Sequence, residues 1–424
     1  MNNKLKLAVA AALVAGASSA NAGIMIPAGD WTLDIGGVVN AYYTSTSFSG
    51  DDAAAGEFKN GDSVNNITTG LLPNYLSVSG KTRQNDLDVG FTISINPGSS
   101  TTQAGIQNQN ARGGNQENRQ AFLTFGDASW GSIKLGKDLG IYASDAILND
   151  MTLLGVGSAA GSLAGNTTTL GRIGTGFMYA DWKSQVAYTS PNWNGFSFTA
   201  GVTQAWNALG TNGVGAGSSG SNDVGSDASG NGRGGSQPAF EGKASYAWTG
   251  DVAGKVWGSF LSQKVEGLSA VQTISGGAAA VALGDDRAFA WDLGATVSLA
   301  GFGLTGYYGQ GDGTGTTVLF NRGYDINGKA RDSDDWYLQG TYTIPGAGTK
   351  LGASYGESTL DGNSVDAFSD VTNDMWTIGA YHPITKHLNL VAEYSVQEAS
   401  TNNRAAADTD VKAKTISLGA ILFF

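Results

Sequence analysis

The chain of 424 residues carries 24 Lys+Arg against 36 Asp+Glu, a formal charge of −12, with 64 Gly, two His and no Cys. Charged residues are 14% of the chain, against about 25% in ordinary soluble domains, while glycine is about double its usual share. The absence of Cys excludes disulfide scaffolds and thiolate metal sites, and the acidic balance argues against nucleic acid, whose affinity needs Lys and Arg on phosphates.

At the start, Lys4 and Lys6 precede an apolar run from Leu7 to Ala17, and Ala20-Asn21-Ala22 has the small-x-small form of a cleavage site. This reads as a secretory signal peptide over residues 1–22, cut before Gly23. The apolar run is too short for the roughly 20 residues of a spanning helix. No later stretch holds 18 consecutive apolar residues, so residues 23–424 belong to a periplasmic, secreted or outer-membrane protein.

From Trp31 onward the apolar residues recur every second position. Leu33, Ile35, Val39, Ala41 and Tyr43 share one parity, with Thr32, Asp34 and Asn40 on the other. Leu87, Val89, Phe91, Ile93 and Ile95 alternate with Asp88, Gly90, Thr92 and Ser94. The same period returns at Phe289–Leu299, Trp336–Ile344, Leu388–Val396 and Ile416–Phe424. Such alternation is the mark of strands with one apolar and one polar face. Aromatics stand at the ends of the apolar faces, as at Tyr42-Tyr43, Trp291, Trp336, Trp376 and Tyr394, where an interfacial girdle requires them.

The connections alternate between tight and long. Tight ones fall at Gln84-Asn85, Ala128–Ser132, Pro191–Gly195, Gly250–Gly254, Ala300-Gly301, Pro345–Gly348 and Thr385–His387. Long polar ones are expected over Ser45–Leu72, Ser99–Glu117, Tyr142–Asp181, Ala208–Gln237, Gly267–Asp286, Gly311–Asp334, Leu360–Asp374 and Thr401–Asp410. Seven turns and eight loops join sixteen antiparallel strands. Lipid offers no hydrogen-bond partner, so a sheet crosses a bilayer only by closing on itself. Sixteen strands enclose a water-filled lumen, with short periplasmic turns and long outer loops. The expected fold is an all-β, 16-stranded transmembrane barrel.

The stretch Asn118–Lys137, NRQAFLTFGDASWGSIKLGK, resembles the fourth and fifth strands of the general Gram-negative trimeric porins, with their Arg-x-x-Phe and Gly-x-hydrophobic-x-x-Gly-Arg/Lys pattern. LGRIG at Leu170–Gly174, YTSPNWNGFSFTAG at Tyr188–Gly201 and the terminal aromatic agree with it. The resemblance implies a homotrimer and an inward-folded third loop that narrows the pore. It puts wall cations at Lys137 and Arg172 and an acid at Asp150, while Leu154 and Ser158 stand where the family has acids and Tyr75 where it has an arginine. Lys81 and Arg83 lie on the parity opposite Leu76 and Val78, so both are expected in the lumen. These substitutions imply a weakened transverse field and a weak anion preference. The resemblance further makes Phe424 the residue read by the β-barrel assembly machinery.

Other chemistries find little support. His382 and His387 lie near the turn side without a Gly-x-Ser-x-Gly elbow, so no enzyme is expected. Asp361–Asp366 and Asp332–Asp335 lack EF-hand spacing, and Gly311–Gly315 lacks the strand-to-helix setting of a dinucleotide site. Neither a cofactor nor a metal is expected. The reading is an outer-membrane porin, set in lipid and lipopolysaccharide, passing small hydrophilic solutes by diffusion. The alternatives are a solute-specific channel for small organic anions, with Leu153, Leu154 and Tyr75 as contacts, and a surface adhesin or phage receptor.

Overall fold

The computed structural model describes residues 23–51, 60–101, 116–159, 166–206, 225–226, 237–274, 277–316, 322–325 and 327–424; the signal peptide expected over residues 1–22 lies outside them. The first strands are β1 (Trp31–Gly50), β2 in two pieces (Ser63–Thr68 and Tyr75–Gln84), β3 (Leu87–Pro97), β4 (Gln116–Asp127) and β5 (Gly131–Leu139). There follow β6 (Trp182–Thr189), β7 (Phe196–Thr203), β8 (Ala239–Trp248), β9 (Val252–Ile274) and β10 (Gly277–Leu299). The last six are β11 (Phe302–Asp312), β12 (Asp332–Thr343), β13 (Lys350–Asp361), β14 (Phe368–Pro383), β15 (Leu388–Asn403) and β16 (Thr409–Phe423). Each pairs antiparallel with its sequence neighbours, and β16 closes the sheet on β1 from Val411↔Gly50 to Phe423↔Val38. The barrel of sixteen strands is closed, which removes the sheet edges that lipid could not satisfy.

A short strand, Ile24–Ala28, pairs with residues 31–35 from Ile24↔Ile35 to Ala28↔Trp31. It covers the stretch of β1 that β16 does not reach. Phe424 stands at that junction: its N–H donates to the Gly37 carbonyl (3.1 Å) and its own carbonyl accepts the Gly37 N–H (2.8 Å). The Phe424 ring lies where a Gly37 side chain would begin, 2.7 Å from an added Cβ. Glycine is required there because the Tyr75 backbone carbonyl of the paired strand lies closer still to the same point.

Local chemistry explains the turns. Asn85 and Asp86 both have positive φ, 49° and 63°, as do Ala300 and Gly301 at 49° and 88°. Two consecutive left-handed residues form the type I′ turn, whose twist suits a two-residue hairpin. On the outer parity, Leu293, Leu304, Leu338, Ile378 and Leu418 are each at least half exposed, as a lipid-facing band must be. Aromatic pairs bracket it. Beside the tight turns Phe302 and Tyr342 meet across strands at 4.4 Å, and Tyr246 stacks on Trp248 of the same strand at 6.1 Å. Trp291–Tyr308, Trp336–Tyr355 and Trp376–Tyr394 pair towards the other rim at 5.4–5.7 Å.

Several expected loops are strand instead. The stretch Gly267–Asp286 is the far end of the β9–β10 hairpin, paired as far as Ile274↔Gly277 with register shifts around Leu268. Strands β13 to β16 likewise run to Asp361, from Phe368, to Asn403 and from Thr409, leaving shorter connections than the composition suggests. Polar Ser/Thr/Asp-rich sequence reads as loop when burial is the criterion. Beyond the barrel wall the backbone there still pairs as an antiparallel hairpin.

Candidate functional site

The inner parity of the barrel is polar, and its side chains bond to the connection of residues 140–181. Among the described residues that connection holds a helix α1 (Ser144–Leu148) and 3-10 turns at Met151–Leu154 and Ile173–Thr175. Glu241 on β8 accepts the N–H groups of Ile141 (2.8 Å) and Tyr142 (2.9 Å), and Ser259 on β9 accepts that of Ala143 (3.1 Å). On β12, Tyr337 donates to the Ala146 carbonyl (2.8 Å), Gln339 takes Met151 N–H (2.9 Å) and donates to Asn149 (2.6 Å), and Asp335 takes Met178 N–H (3.0 Å). Glu393 on β15 accepts Val156 N–H (2.7 Å) and Gly157 N–H (2.9 Å), and also the Tyr381 hydroxyl (2.7 Å). Tyr42 on β1 donates to Leu154 (2.6 Å). Irregular backbone needs such partners wherever water is scarce.

Ion pairs reinforce the same contact. Asp145 on α1 meets both Lys255 and Lys243, the latter at 3.1 Å. Lys183 on β6 pairs with Glu241 and lies 3.4 Å from the centre of the Trp206 ring. Sequence reasoning missed Lys183, Glu241, Lys243, Lys255 and Glu393. Their signal was available: each is an ionisable residue on the polar parity of a strand whose other parity is apolar, as Phe240 flanks Glu241. Charges at membrane depth mark a functional lumen.

The expected site residues are distributed differently. Arg172 is buried on the connection itself; its guanidinium donates to the Met375 carbonyl (2.7 Å) and to Ser354 (2.6 Å). Asp150 is buried as a cap, accepting Thr152 N–H (2.9 Å) and its hydroxyl (2.8 Å), and takes Arg172 N–H at 3.3 Å. Ser158 donates to Thr169 (3.2 Å), and Leu154 packs against the buried core. Lys137 stands between Ala121 and Ser184, on the exposed parity shared by Leu123 and Val186, so it faces away from the lumen. Its neighbour Asp138 faces in and holds Lys134. Arg83 is engaged by Asp88 (2.9 Å) and Asp127 (2.8 Å) at the turn end. Lys81 is exposed and has no ion pair among the described residues.

Between the connection and strands β1–β5 remains a cavity of about 450 Å³. Asp34, Tyr75, Ser77, Ser79, Gln120 and Asp138 line it from the wall, and Leu148, Leu153 and Leu170 from the connection. Lys81 lines an adjoining hollow with Asp34.

A closed antiparallel barrel with lipid-facing apolar residues, aromatic girdles and a polar interior is an outer-membrane channel. Residues 8–402 match the family described as Gram-negative porin. The chain belongs to that family, lies in the outer membrane and serves passive diffusion rather than catalysis. A search of curated protein sequences gives no significant match. Among solved structures, the outer-membrane channel DcaP of Acinetobacter baumannii aligns with a TM-score of 0.63 at 14% identity, over 94% of this chain and 99% of that one. An anion-selective porin from Comamonas acidovorans gives 0.57 at 16%, over 93% and 100%. OmpT of Vibrio cholerae gives 0.57 at 15%, over 95% and 100%. At these identities the likeness is one of fold.

Proposed function

We propose that the connection of residues 140–181 occupies the lumen and is the constriction of a weakly selective diffusion channel. The observation that carries this is its docking onto inner side chains of β1, β8, β9, β12 and β15; among the described residues a cavity remains beside β1–β5. Selectivity in such a passage comes from its width and lining charge. The two exposed lining charges, Asp34 and Lys81, are of opposite sign. Arg83, Arg172 and Lys137 are paired, buried or turned outward, so the lining supports near-neutral selectivity more than the anion preference inferred from the sequence.

Purified protein in a planar bilayer tests this. Steady, ohmic single-channel current is the expected result, and insertion without current would overturn it. A trimer form is known for OmpT of Vibrio cholerae; we propose the same state here, checked by mass measurement in detergent. Phe424 is proposed as the residue read by the assembly machinery, and Phe424→Ala is expected to lower the folded fraction in the outer membrane. Wild-type folded yield in that variant would remove the role.

A further inference from the structure

We infer that the channel favours neutral, ring-sized solutes with one apolar face and a hydroxyl-bearing edge. This rests on the channel reading above and names its solute class. The cavity beside β1–β5 measures about 450 Å³, within the roughly 300–1,000 Å³ of small-molecule sites.

Its two sides differ in chemistry. On the connection side, Leu148 and Leu170 are half-buried and turn their remaining surface to the cavity, flanked by Leu71, Leu72 and Leu153. Water in contact with these leucines is released when an apolar face covers them. Across the gap the lining from β2, β3 and β4 is hydroxyl and amide: Ser77, the Ser79–Thr92 hydroxyl pair (2.9 Å), Asn96, whose Oδ1 accepts the Ser94 hydroxyl, and Gln120, whose Oε1 is left for a solute.

Most of the strong charges at the cavity are already committed. Asp138 holds Lys134 and accepts Gln120 Nε2 at 3.0 Å. Arg119 holds Glu117 at 2.7 Å, donates to Thr167 at 3.3 Å and lies 5.6 Å over the Trp182 ring. Asp34 remains exposed, and its negative charge disfavours organic anions. At the cavity itself an organic anion would have to break these pairs or approach Asp34; the exposed Lys81 lies in the adjoining hollow, which Asp34 also lines. A neutral solute needs only the apolar wall and the neutral donors and acceptors opposite, so it is favoured over an anion of the same shape.

The test compares phenyl β-D-glucoside with methyl β-D-glucoside as blockers of the ionic current through the full-length protein in a planar bilayer. Phenyl glucoside is expected to block at about tenfold lower concentration, a ratio equivalent to about 1.4 kcal/mol. In Leu148→Ser and in Leu170→Ser the ratio of the two blocking constants should fall to about twofold; taking the ratio cancels any change in open conductance. Equal block by the two glucosides in wild type overturns the inference, as does a ratio retained in both variants. Stronger block by benzoate than by phenyl glucoside overturns it too, in favour of organic anions. Protein that inserts but passes no current overturns the channel reading itself.

Discussion

Glu393 shows how one inner side chain holds the connection of residues 140–181. It lies on β15, more than two hundred residues after the backbone it holds, and gathers two N–H groups and a tyrosine hydroxyl. Parity tells that Glu393 faces inward, but no local pattern tells which backbone it will meet. The same gap explains Arg172, whose motif resembles a wall cation and whose guanidinium instead clamps the connection to β13 and β14. Glu393→Ala strands three buried donors, the N–H groups of Val156 and Gly157 and the Tyr381 hydroxyl, at a cost of about 1–3 kcal/mol each. It should lower the thermal unfolding midpoint and raise conductance as residues 156–157 detach; an unchanged current would separate Glu393 from the constriction. A second residue-scale lock lies outside the membrane. Arg331 reaches Asp366 with Nε at 2.9 Å and Nη2 at 2.6 Å. Burial pushes the Asp366 carboxyl up, but Arg331 and the Asn363 N–H outweigh it and hold the group below the ordinary carboxylate value. A folded value below the unfolded one gives stability that is complete above about pH 4 and is lost as pH falls through the lowered value. The hydrogen-exchange protection factors of residues 362–367, taken against the intrinsic rate at each pH, should therefore be flat from neutral pH to about 4 and fall below it. Asp366→Asn should exchange fast throughout, and protection that declined already near pH 6 would rule the clamp out.

At the level of elements, the period of two and the turn residues made the barrel legible. Leu87–Ile95 alternates because one face meets lipid and the other water, and the tight turn expected at Gln84-Asn85 forms one residue on, at Asn85-Asp86, where both positions take left-handed φ. Strand ends on the outer side were not legible, since nothing in a Ser/Thr/Ala-rich run distinguishes a solvated hairpin from a loop. Lys137 was misplaced for a related reason. The family pattern fixes the residue after Gly136 but not its parity, and the register places it opposite Ala121 and Ser184. The outer half of the β9–β10 hairpin gives a test of the distinction. Fourteen consecutive pairs join Val252–Val265 to Asp286–Leu299, more than the roughly 9–11 residues a strand needs to cross. Replacing residues 269–283 by Asn-Gly should leave folded yield and conductance unchanged. Failure to assemble would show that the extension is part of the barrel's folding core.

For the whole molecule, net charge and pore charge are separate quantities. The chain is strongly acidic, −12, yet charges on outer loops act across solvent with a screening length of about 8–10 Å. An ion in the passage responds to what lines it. That lining offers Asp34 and Lys81 as exposed charges on neighbouring strands, β1 and β2, near Ser79. Each sits in water-rich lumen, where one unit charge a few ångströms from the path changes an ion's local concentration by about two- to fourfold. Lys81→Gln should shift the reversal potential in a salt gradient towards cations, and Asp34→Asn towards anions by a similar amount. Both shifts should shrink between 0.1 M and 1 M KCl. The double variant should return close to wild type, because the two charges oppose each other along one path. A wild-type channel already strongly selective, with neither substitution moving it, would mean that ions follow a route other than the gap beside β1–β5.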